Sequence, residues 1–358
     1  IRLNTDSQKL EFYAQDRWHE MATEEASGLG RRGFRVSGTG ANATLIETFN
    51  IATLGNSHDT GFDLSTARGA VGCSASRTRA VICGGNGPAP GTNDIQYFEM
   101  AALSNTIDFG DLTYNAAEAG AHSNNVRLVV TGAPSANSNV INFLTVASTG
   151  SAQDFGDCTS SLSSTSACGN PTRALFSGGL DPSNSAVVDY ITISTLGNTQ
   201  AFGNLGGGKQ AQGGMGSRTR AVLSGGYVSG FENGIKFFTF ASLGDVTDFG
   251  DLLSAKNRVM SCSDSVRGIN GGGNPNTNVI EYITIAQTGN GVDFGDLTVA
   301  RQSGEAFSSS TRGVFAGGYI EPTFSNTIDF VTIASTGNAT DFGDLTLIRM
   351  YGGGFSNS

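Results

Sequence analysis

Short runs of β-branched and aromatic residues, apolar on both faces and bounded by Asn and Gly, recur along this chain. Two examples are VIEYITIA (279–286) and TIDFVTIA (327–334). An apolar run of this length between turn residues is typical of a strand buried between two neighbouring sheets. Other runs, such as RAVLSGGY (220–227), end in a Gly pair, where the backbone can bulge or adopt a positive φ. The pattern predicts an all-β protein.

The strand pattern repeats seven times, and three sequence marks agree on this count. The first mark is an Arg that opens a hydrophobic run: Arg32, Arg79, Arg127, Arg173, Arg220, Arg267 and Arg312. The second is the aromatic residue of the strand run: Phe49, Tyr97, Phe143, Tyr190, Phe237, Tyr282 and Phe330. The third is the Phe of a DFGDL element, which recurs at a nearly constant spacing: Phe62, Phe109, Phe155, Phe202, Phe249, Phe294 and Phe342.

Four predicted strands in each unit of about 47 residues, seven times over, predict a seven-bladed β-propeller with four-stranded blades. The Ser-rich segment before each Arg, such as VGCSAS (71–76), fits the innermost strand. The chain enters the repeats on a second strand at 31–38 and leaves them on a first strand at 350–358. We therefore expect the last segment to complete the first blade and close the ring, which removes exposed strand edges. This divides the chain into an N-terminal segment, 1–30, and a propeller, 31–358.

The Gly pair, the aromatic strand after it and the length of the repeat period resemble kelch repeats. The resemblance covers residues 31–358. Kelch units usually carry a Trp late in the repeat, whereas the equivalent anchor here is Phe. The single Trp, Trp18, lies outside the repeats, which argues against the tryptophan-aspartate class of propellers.

Length variation between the units is concentrated in the loop that joins the second and third strands. The distance from the Arg to the strand aromatic differs between units, whereas the distance from that aromatic to the DFGDL Phe is the same in every unit but the first. In a propeller these variable loops emerge on one face, and surface loops carry recognition on a rigid scaffold. We therefore expect a ligand-binding site there, with four aromatic candidates: Tyr227, Phe231, Tyr319 and Phe324. The alternative is that these side chains merely cover neighbouring loops.

The repeated residues themselves are interpreted as structural. The aromatic residues are expected in the core, and the arginines from Arg79 to Arg312 and the repeated Asp residues in hydrogen bonds between adjacent units. The fourth unit reads Ala201 and Asn204 where the others have Asp. The Asp set lacks the DxDxDG spacing of a calcium loop, so no metal is predicted, and a calcium role for these residues stays open as an alternative. No cofactor is predicted.

Composition agrees with this architecture. Gly is 51 of 358 residues, too many for a helical protein, while 38% hydrophobic residues with 22 Phe can bury a core. A net charge of −10 without a basic run argues against nucleic acid. No stretch approaches about 18 consecutive apolar residues, so membrane insertion is not expected. The 5 cysteines lack CxxC spacing and are interpreted as buried free thiols, which suits a reducing cytoplasm.

Catalytic residues are not predicted. His19, His58 and His122 are scattered, without the spacing of metal ligands, and no GxSxG elbow precedes a helix. We expect a protein that is not an enzyme. A carbohydrate-active enzyme stays open as an alternative, because Asp and Glu are plentiful enough to supply a carboxylate pair.

Residues 1–30 fall outside the repeat. IRLN and KLEFYA around the turn TDSQ predict a β-hairpin, followed by a third short segment carrying Trp18. The pattern R-x-N-T-x-x-x-K-L-E-x-Y with a Trp soon after looks like a small module common in tail-fibre and other virion proteins of bacteriophages. Together with the STGNATDFGDLT-type repeats, it resembles structural proteins of tailed phages, including marine and cyanobacterial ones. The alternative is an ordinary flap docked on the propeller.

This resemblance implies a virion protein assembled in the host cytoplasm, such as a fibre, a collar or a capsid appendage. Its N-terminal segment would contact other virion proteins. Its propeller would bind a host-surface glycan or protein, or another virion subunit. An intracellular scaffold of the kelch type is the remaining alternative.

Overall fold

The structure is a computed structural model, and it describes most of the chain. The described residues are 2–4, 9–14, 17–20, 32–38, 44–76, 78–87, 91–102, 105–132, 138–161, 165–181, 183–348 and 352–356. The expected boundary between residues 30 and 31 lies outside these ranges, as do parts of four variable loops, at 39–43, 88–90, 133–137 and 182.

Seven four-stranded antiparallel sheets form a closed ring, which confirms the predicted seven-bladed propeller. We number the blades 1 to 7 in chain order and name their strands A to D from the axis outwards. Strand A of every blade contacts strand A of both neighbouring blades, so these short strands surround the axis. The elements of the described residues are all strands.

The strands A, B, C and D have the following bounds. They are Gly353–Ser356, Arg32–Val36, Leu45–Asn50 and His58–Asp63 in blade 1; Gly72–Ala75, Arg79–Cys83, Thr92–Glu99 and Ile107–Ala116 in blade 2; Gly120–Ser123, Arg127–Thr131, Val140–Thr145 and Gln153–Asp157 in blade 3; Ser166–Gly169, Arg173–Ser177, Val187–Thr192 and Gln200–Asn204 in blade 4; Gly213–Gly216, Arg220–Ser224, Gly234–Thr239 and Thr247–Asp251 in blade 5; Met260–Ser263, Arg267–Gly271, Val279–Thr284 and Val292–Asp296 in blade 6; and Glu305–Ser308, Arg312–Ala316, Thr327–Thr332 and Thr340–Asp344 in blade 7.

A separate three-stranded antiparallel sheet lies near the N-terminus. Arg2–Asn4 pairs with Lys9–Ala14, which pairs in turn with Arg17–Glu20. The first pair is the predicted hairpin, and the segment that carries Trp18 adds a third strand to it.

The two ends of the propeller meet in blade 1. Its inner strand, Gly353–Ser356, pairs antiparallel with the second strand, Arg32–Val36. Phe355 stacks on Phe34, with ring centroids 5.5 Å apart. The predicted closure of the ring by the C-terminal strand is confirmed.

The Arg at the start of each strand B joins its blade to the next one. Its Nη1 donates a hydrogen bond to the carbonyl oxygen of the residue directly after strand C in the following blade. The seven pairs are Arg32–Met100, Arg79–Val146, Arg127–Ile193, Arg173–Phe240, Arg220–Ile285, Arg267–Ile333 and Arg312–Ile51. In blades 2 to 7 the guanidinium also lies over the strand C aromatic ring of its own blade, 4.3 to 4.9 Å from the ring centroid. Cation–π contact and hydrogen bond together clamp adjacent blades.

The repeated DFGD sequence forms a β-bulge on strand D that docks the next blade. In blade 3 the ladder shifts register at Gly156, which has a φ of +143°. A Cβ there would lie 2.4 Å from the carbonyl group of Gly197, in the loop between strands C and D of blade 4. The N–H of Gly197 donates to Phe155 O at 2.8 Å, and that of Thr199 to Asp157 O at 2.8 Å. The same contacts recur between other blades, and this docking explains why the C–D loops hardly vary.

The Phe of each DFGD element packs edge-on against the strand C aromatic of its own blade in blades 2 to 7. Ring centroids are 5.6 to 6.0 Å apart in the pairs Tyr97–Phe109, Phe143–Phe155, Tyr190–Phe202, Phe237–Phe249, Tyr282–Phe294 and Phe330–Phe342. These rings lie in the blade cores or at their edges, where they fill the space between neighbouring sheets.

Blade 1 departs from this pattern. Thr48 lies opposite His58 there, just as the strand C aromatic of blade 3 lies opposite the first residue of its strand D. The assignment of Phe49 to the strand C aromatic position is therefore wrong by one residue. Phe49 contacts Phe342 and Phe307 of blade 7 instead, at 5.7 and 5.3 Å. Strand D of blade 1 also differs from the others, since it reads HDTGFD, with its Phe after the Gly and one residue more than in blades 3 to 7.

Deletion of residues 348–358 tests the closure. The loss of one strand ladder and of the Phe355 contact should cost about 3–5 kcal/mol of unfolding free energy. At about 2–4 °C per kcal/mol, the melting temperature should fall by roughly 6–20 °C. A chain that ends at Ser356 keeps the strand and is the control. Melting of the deletion variant within a degree or two of this control would show that closure contributes little.

Arg267→Ala tests the clamp. The variant loses a charge-assisted hydrogen bond to Ile333 O and the contact with the Tyr282 ring, so we expect a loss of about 2 kcal/mol in urea unfolding. Arg218→Ala is the matched control, because this exposed Arg lies on the A–B turn of blade 5. Equal stability of the two variants would contradict the clamp.

Candidate functional site

Two loop classes emerge on the same face of the ring. Strands alternate in direction within each blade, so the B–C loops and the D–A loops lie at one end and the A–B and C–D loops at the other. We call the first end the B–C face and the second the C–D face. The four predicted aromatic residues all lie on the B–C face, in the B–C loops of blades 5 and 7.

The four aromatics form two pairs rather than one cluster. Tyr227 and Phe231 of blade 5 have ring centroids 5.8 Å apart, and Tyr319 and Phe324 of blade 7 also 5.8 Å. The blade 7 loop is a small hairpin in which Tyr319 pairs with Phe324. Phe231 is 39% exposed, and the other three rings are partly buried. Each pair thus covers its own loop and still presents aromatic surface to solvent.

The loop between these two pairs is short. Seven residues separate strands B and C in blade 6, against nine in blade 5 and ten in blade 7. The two aromatic pairs therefore lie on either side of the shorter B–C loop of blade 6.

The D–A loops share a backbone feature around the axis. One residue in each of five described loops is left-handed, with φ between +50° and +56°: Ala70, Glu118, Ala211, Arg258 and Ser303. We call these residues the axial ring. By spacing, Ser164 and Tyr351 are the equivalents in the other two loops, and they lie outside the described residues.

Backbone hydrogen bonds connect the axial ring from loop to loop. The N–H of Arg258 donates to Ala211 O at 2.9 Å, the N–H of Ser303 to Arg258 O at 3.3 Å, and the N–H of Glu118 to Ala70 O at 3.0 Å. A left-handed conformation is unfavourable for residues other than Gly, so these bonds help to hold a strained backbone. The backbone is thus fixed at this position while the side chains differ from blade to blade.

A cavity of about 240 Å³ opens at the axial ring on the side of blades 5 to 7. Ala211, Gln212, Arg258, Ser303 and Glu305 contribute to its wall. We call it the axial cavity. The Glu305 carboxylate is already bound: Oε2 lies 2.7 Å from Nε of the buried Arg35, and Oε1 accepts the N–H of Gly352 at 3.0 Å.

Both aromatic pairs are tied to the wall of the axial cavity. Tyr227 exchanges two backbone hydrogen bonds with Gln210, at 3.0 and 3.2 Å. Tyr319 exchanges two with Gln302, at 2.7 and 3.1 Å. Gln210 and Gln302 directly precede the wall residues Ala211 and Ser303. The cavity and the aromatic pairs therefore belong to one connected surface.

Buried ion pairs support the axial ring from below. Two residues before the ring position, four of the loops carry a buried basic residue that faces an acidic one. The pairs are Arg68–Asp94 at 2.8 Å, Lys209–Glu232 at 3.9 Å, Lys256–Glu281 at 2.6 Å and Arg301–Asp329 at 2.8 Å.

The Arg301 pair is the most fully connected of these. Its Nη1 donates to Asp329 and its Nη2 to Phe315 O at 3.0 Å, while the Thr298 hydroxyl donates to the other oxygen of Asp329 at 2.5 Å. Burial lowers the pKa of Arg301, and the charge of Asp329 opposes this shift. The guanidinium stays protonated because its ordinary pKa is far above neutral pH.

The remaining chemistry-bearing residues are dispersed. Among the described residues, no three His, Cys, Asp or Glu side chains are grouped so that they could hold a metal ion. Burial raises the pKa of all five free cysteines to about 12, so they remain protonated thiols. His122 lies on strand A of blade 3 with Nε2 3.3 Å from Asn170 O, and burial lowers its pKa. His58 is exposed on strand D of blade 1. A search of the described part of the chain for a helix that could cross a membrane found none.

Sequence reasoning reached the aromatic pairs but missed the axial ring. The segment from the DFGDL Phe to the next Arg is almost constant in length, which drew attention away from it. The residue type at the ring position differs between units, but so does the residue type at several neighbouring positions, so the sequence does not single out the ring.

Asp329→Ala tests the support beneath the ring. It leaves the buried Arg301 charge without its partner and should cost about 3–5 kcal/mol in unfolding free energy. The double variant Arg301→Met with Asp329→Leu removes both charges and should be clearly more stable than the single variant. Urea unfolding measures both, and a double variant that is no better than the single one would contradict the role of the pair.

Comparison with known proteins supports the fold alone. No family model matches the chain, and no curated protein does. Among solved structures, one titled "Structure of YjhT" superposes with a TM-score of 0.59 at 10% sequence identity, over 76% of this chain and 97% of that one. At such low identity the likeness concerns architecture and not activity. The chain is a seven-bladed β-propeller.

Proposed function

We propose that this chain is a recognition protein without enzymatic activity and that it binds a ligand through its B–C face. The expected ligand is a glycan or a protein on a host-cell surface, or another virion subunit. A closed propeller suits this task because it presents many loops at a small cost in conformational entropy.

The observation that carries this proposal is the difference between the two faces. The C–D loops are nearly uniform, and their backbone groups are used in docking each blade onto the previous one. The B–C loops differ in length, and those of blades 5 and 7 carry partly exposed aromatic pairs beside the axial cavity. Aromatic side chains with polar tips are enriched at binding surfaces.

We further propose that the protein belongs to a virion of the tailed-phage type and has kelch-like repeats. Support comes from the sequence pattern R-x-N-T-x-x-x-K-L-E-x-Y near the N-terminus and from the STGNATDFGDLT-type repeats. Mass spectrometry of purified virions tests this part, and the protein should be found in the particles. Its absence from virions, together with abundance in the cytosol, would favour a scaffold of the kelch type.

Phe231→Ala tests the binding surface. On an array of bacterial surface glycans probed with the full chain, we expect binding about tenfold weaker, which corresponds to about 1.4 kcal/mol. The melting temperature should fall by only a few degrees, because the lost ring contact contributes about 0.5–1.5 kcal/mol.

Leu243→Ala is the matched control, because Leu243 is 56% exposed on the C–D loop of the same blade, on the opposite face. It should bind like the unchanged chain. Equal binding by both variants would contradict the proposed surface. Release of reducing ends from a glycan that binds would instead show a carbohydrate-active enzyme.

A further inference from the structure

We propose that Arg258 makes the axial cavity a site for the anionic group of an acidic saccharide, and that the axial ring determines which ligands the B–C face accepts. This inference rests on the proposed function and specifies the chemistry of the ligand. The anionic group is a carboxylate, a phosphate ester or a sulfate ester, since a guanidinium binds each of these through paired N–H donors.

The side chain of Arg258 is available to a ligand. Its side chain is exposed at the wall of the cavity, and no described residue accepts a hydrogen bond from its guanidinium or pairs with its charge. The clamp arginines and the basic residues beneath the ring, by contrast, are held by carbonyl or carboxylate oxygens. Arg258 therefore offers its full set of donors to a ligand.

The charge around Arg258 favours an anion. Glu305 also lines the cavity, but Arg35 compensates its charge, and both of its oxygens already accept hydrogen bonds, from Arg35 and from the N–H of Gly352. Glu305 and Arg35 cancel each other, so among the described residues of the wall Arg258 contributes an uncompensated formal charge of +1. In a protein with a net charge of −10, this is a local attraction for an anion and not a general one.

The loop that carries Arg258 is held in place by its neighbours. The backbone on both sides of Arg258 is hydrogen-bonded to the neighbouring ring members, and Lys256 is paired with Glu281 two residues earlier. The loop is thus ordered before a ligand arrives, which lowers the entropic cost of binding. The left-handed conformation is shared with Ala211 and Ser303, so it does not depend on the Arg side chain.

The size and surroundings of the axial cavity fit a sugar. Its volume of about 240 Å³ is below the range of about 300–1,000 Å³ that holds drug-sized ligands, so it suits a single sugar residue. Gln212 and Ser303 supply polar groups beside Arg258. The aromatic pairs, one residue removed from the wall, provide apolar ring faces for the rest of a saccharide chain. An acidic terminal sugar in the cavity with neutral sugars across the aromatic pairs fits this arrangement.

Arg258→Ala is the central variant, because Ala already occupies the same left-handed conformation at positions 70 and 211. Arg218→Ala is the matched control, since Arg218 is also exposed but lies on the C–D face of the ring. Arg258→Lys keeps the charge but loses the planar fork.

The measurement is the binding of the full chain to four oligosaccharide probes of equal length, whose terminal sugar is glucose, glucuronic acid, glucose 6-phosphate or glucose 6-sulfate. We expect at least one acidic probe to bind about tenfold more tightly than the neutral one. Arg258→Ala should remove that preference by weakening acidic binding about tenfold relative to neutral binding, Arg258→Lys should restore part of it, and Arg218→Ala should leave the preference unchanged. The preferred acidic probe identifies the anionic group.

Equal binding of acidic and neutral probes, or an equal effect of Arg258→Ala and Arg218→Ala, would overturn the inference. If Phe231→Ala still weakens neutral binding in that case, the proposed function stands and only the role of Arg258 fails. If no probe and no surface glycan binds, the role of Arg258 fails, and so does the proposed function in the form in which the ligand is a glycan.

Discussion

The contact between adjacent blades is the constraint on which the rest of this structure depends. A four-stranded blade is too small to bury both of its faces by itself, so each blade becomes stable only against its neighbours. Two kinds of bond act at this interface: the strand B arginine donates to a carbonyl of the next blade, and the DFGD bulge binds the next C–D loop. The C-terminal strand completes blade 1 and so closes the ring. The repeated residues of the sequence are the residues that make these bonds.

This constraint divides the molecule into two faces with different freedom to change. The C–D loops are part of the blade interface, and a residue larger than Gly at the bulge would meet the backbone of the next blade. The B–C loops are restricted chiefly at their Gly pairs and at the residue that follows. Gly225, for example, has a φ of +64° and passes close to Lys256 O, and Tyr227 pairs with Gln210. Chemical variety therefore accumulates at the B–C loops and on the axial ring, where the backbone is fixed and the side chain is free.

Much of the fold could be predicted from the sequence, because repetition supplies seven independent readings of each position. Strand order, blade number and closure all followed from the phase of the repeats at residues 31–38 and 350–358. Phe49 is an example of what repetition does not predict. In blade 1 Thr48 occupies the position of the strand C aromatic residue, and the neighbouring Phe49 resembles the repeated mark more closely. The axial ring could not be predicted because the hydrogen bonds at its left-handed residues join loops that lie one whole repeat apart in the sequence. The ion pairs beneath it likewise join residues whose sequence separation varies, such as Arg68 with Asp94 and Lys209 with Glu232.

The most direct measurement compares loop replacements on the two faces of blade 7. One variant replaces residues 319–326 of the B–C loop with the shorter segment 274–278 of blade 6, and the other replaces residues 335–338 of the C–D loop with four alanines. The account predicts that the first variant melts within a few degrees of the unchanged chain and loses glycan binding, while the second melts far lower. A B–C replacement that unfolds the ring, or a C–D replacement that leaves its stability intact, would contradict it.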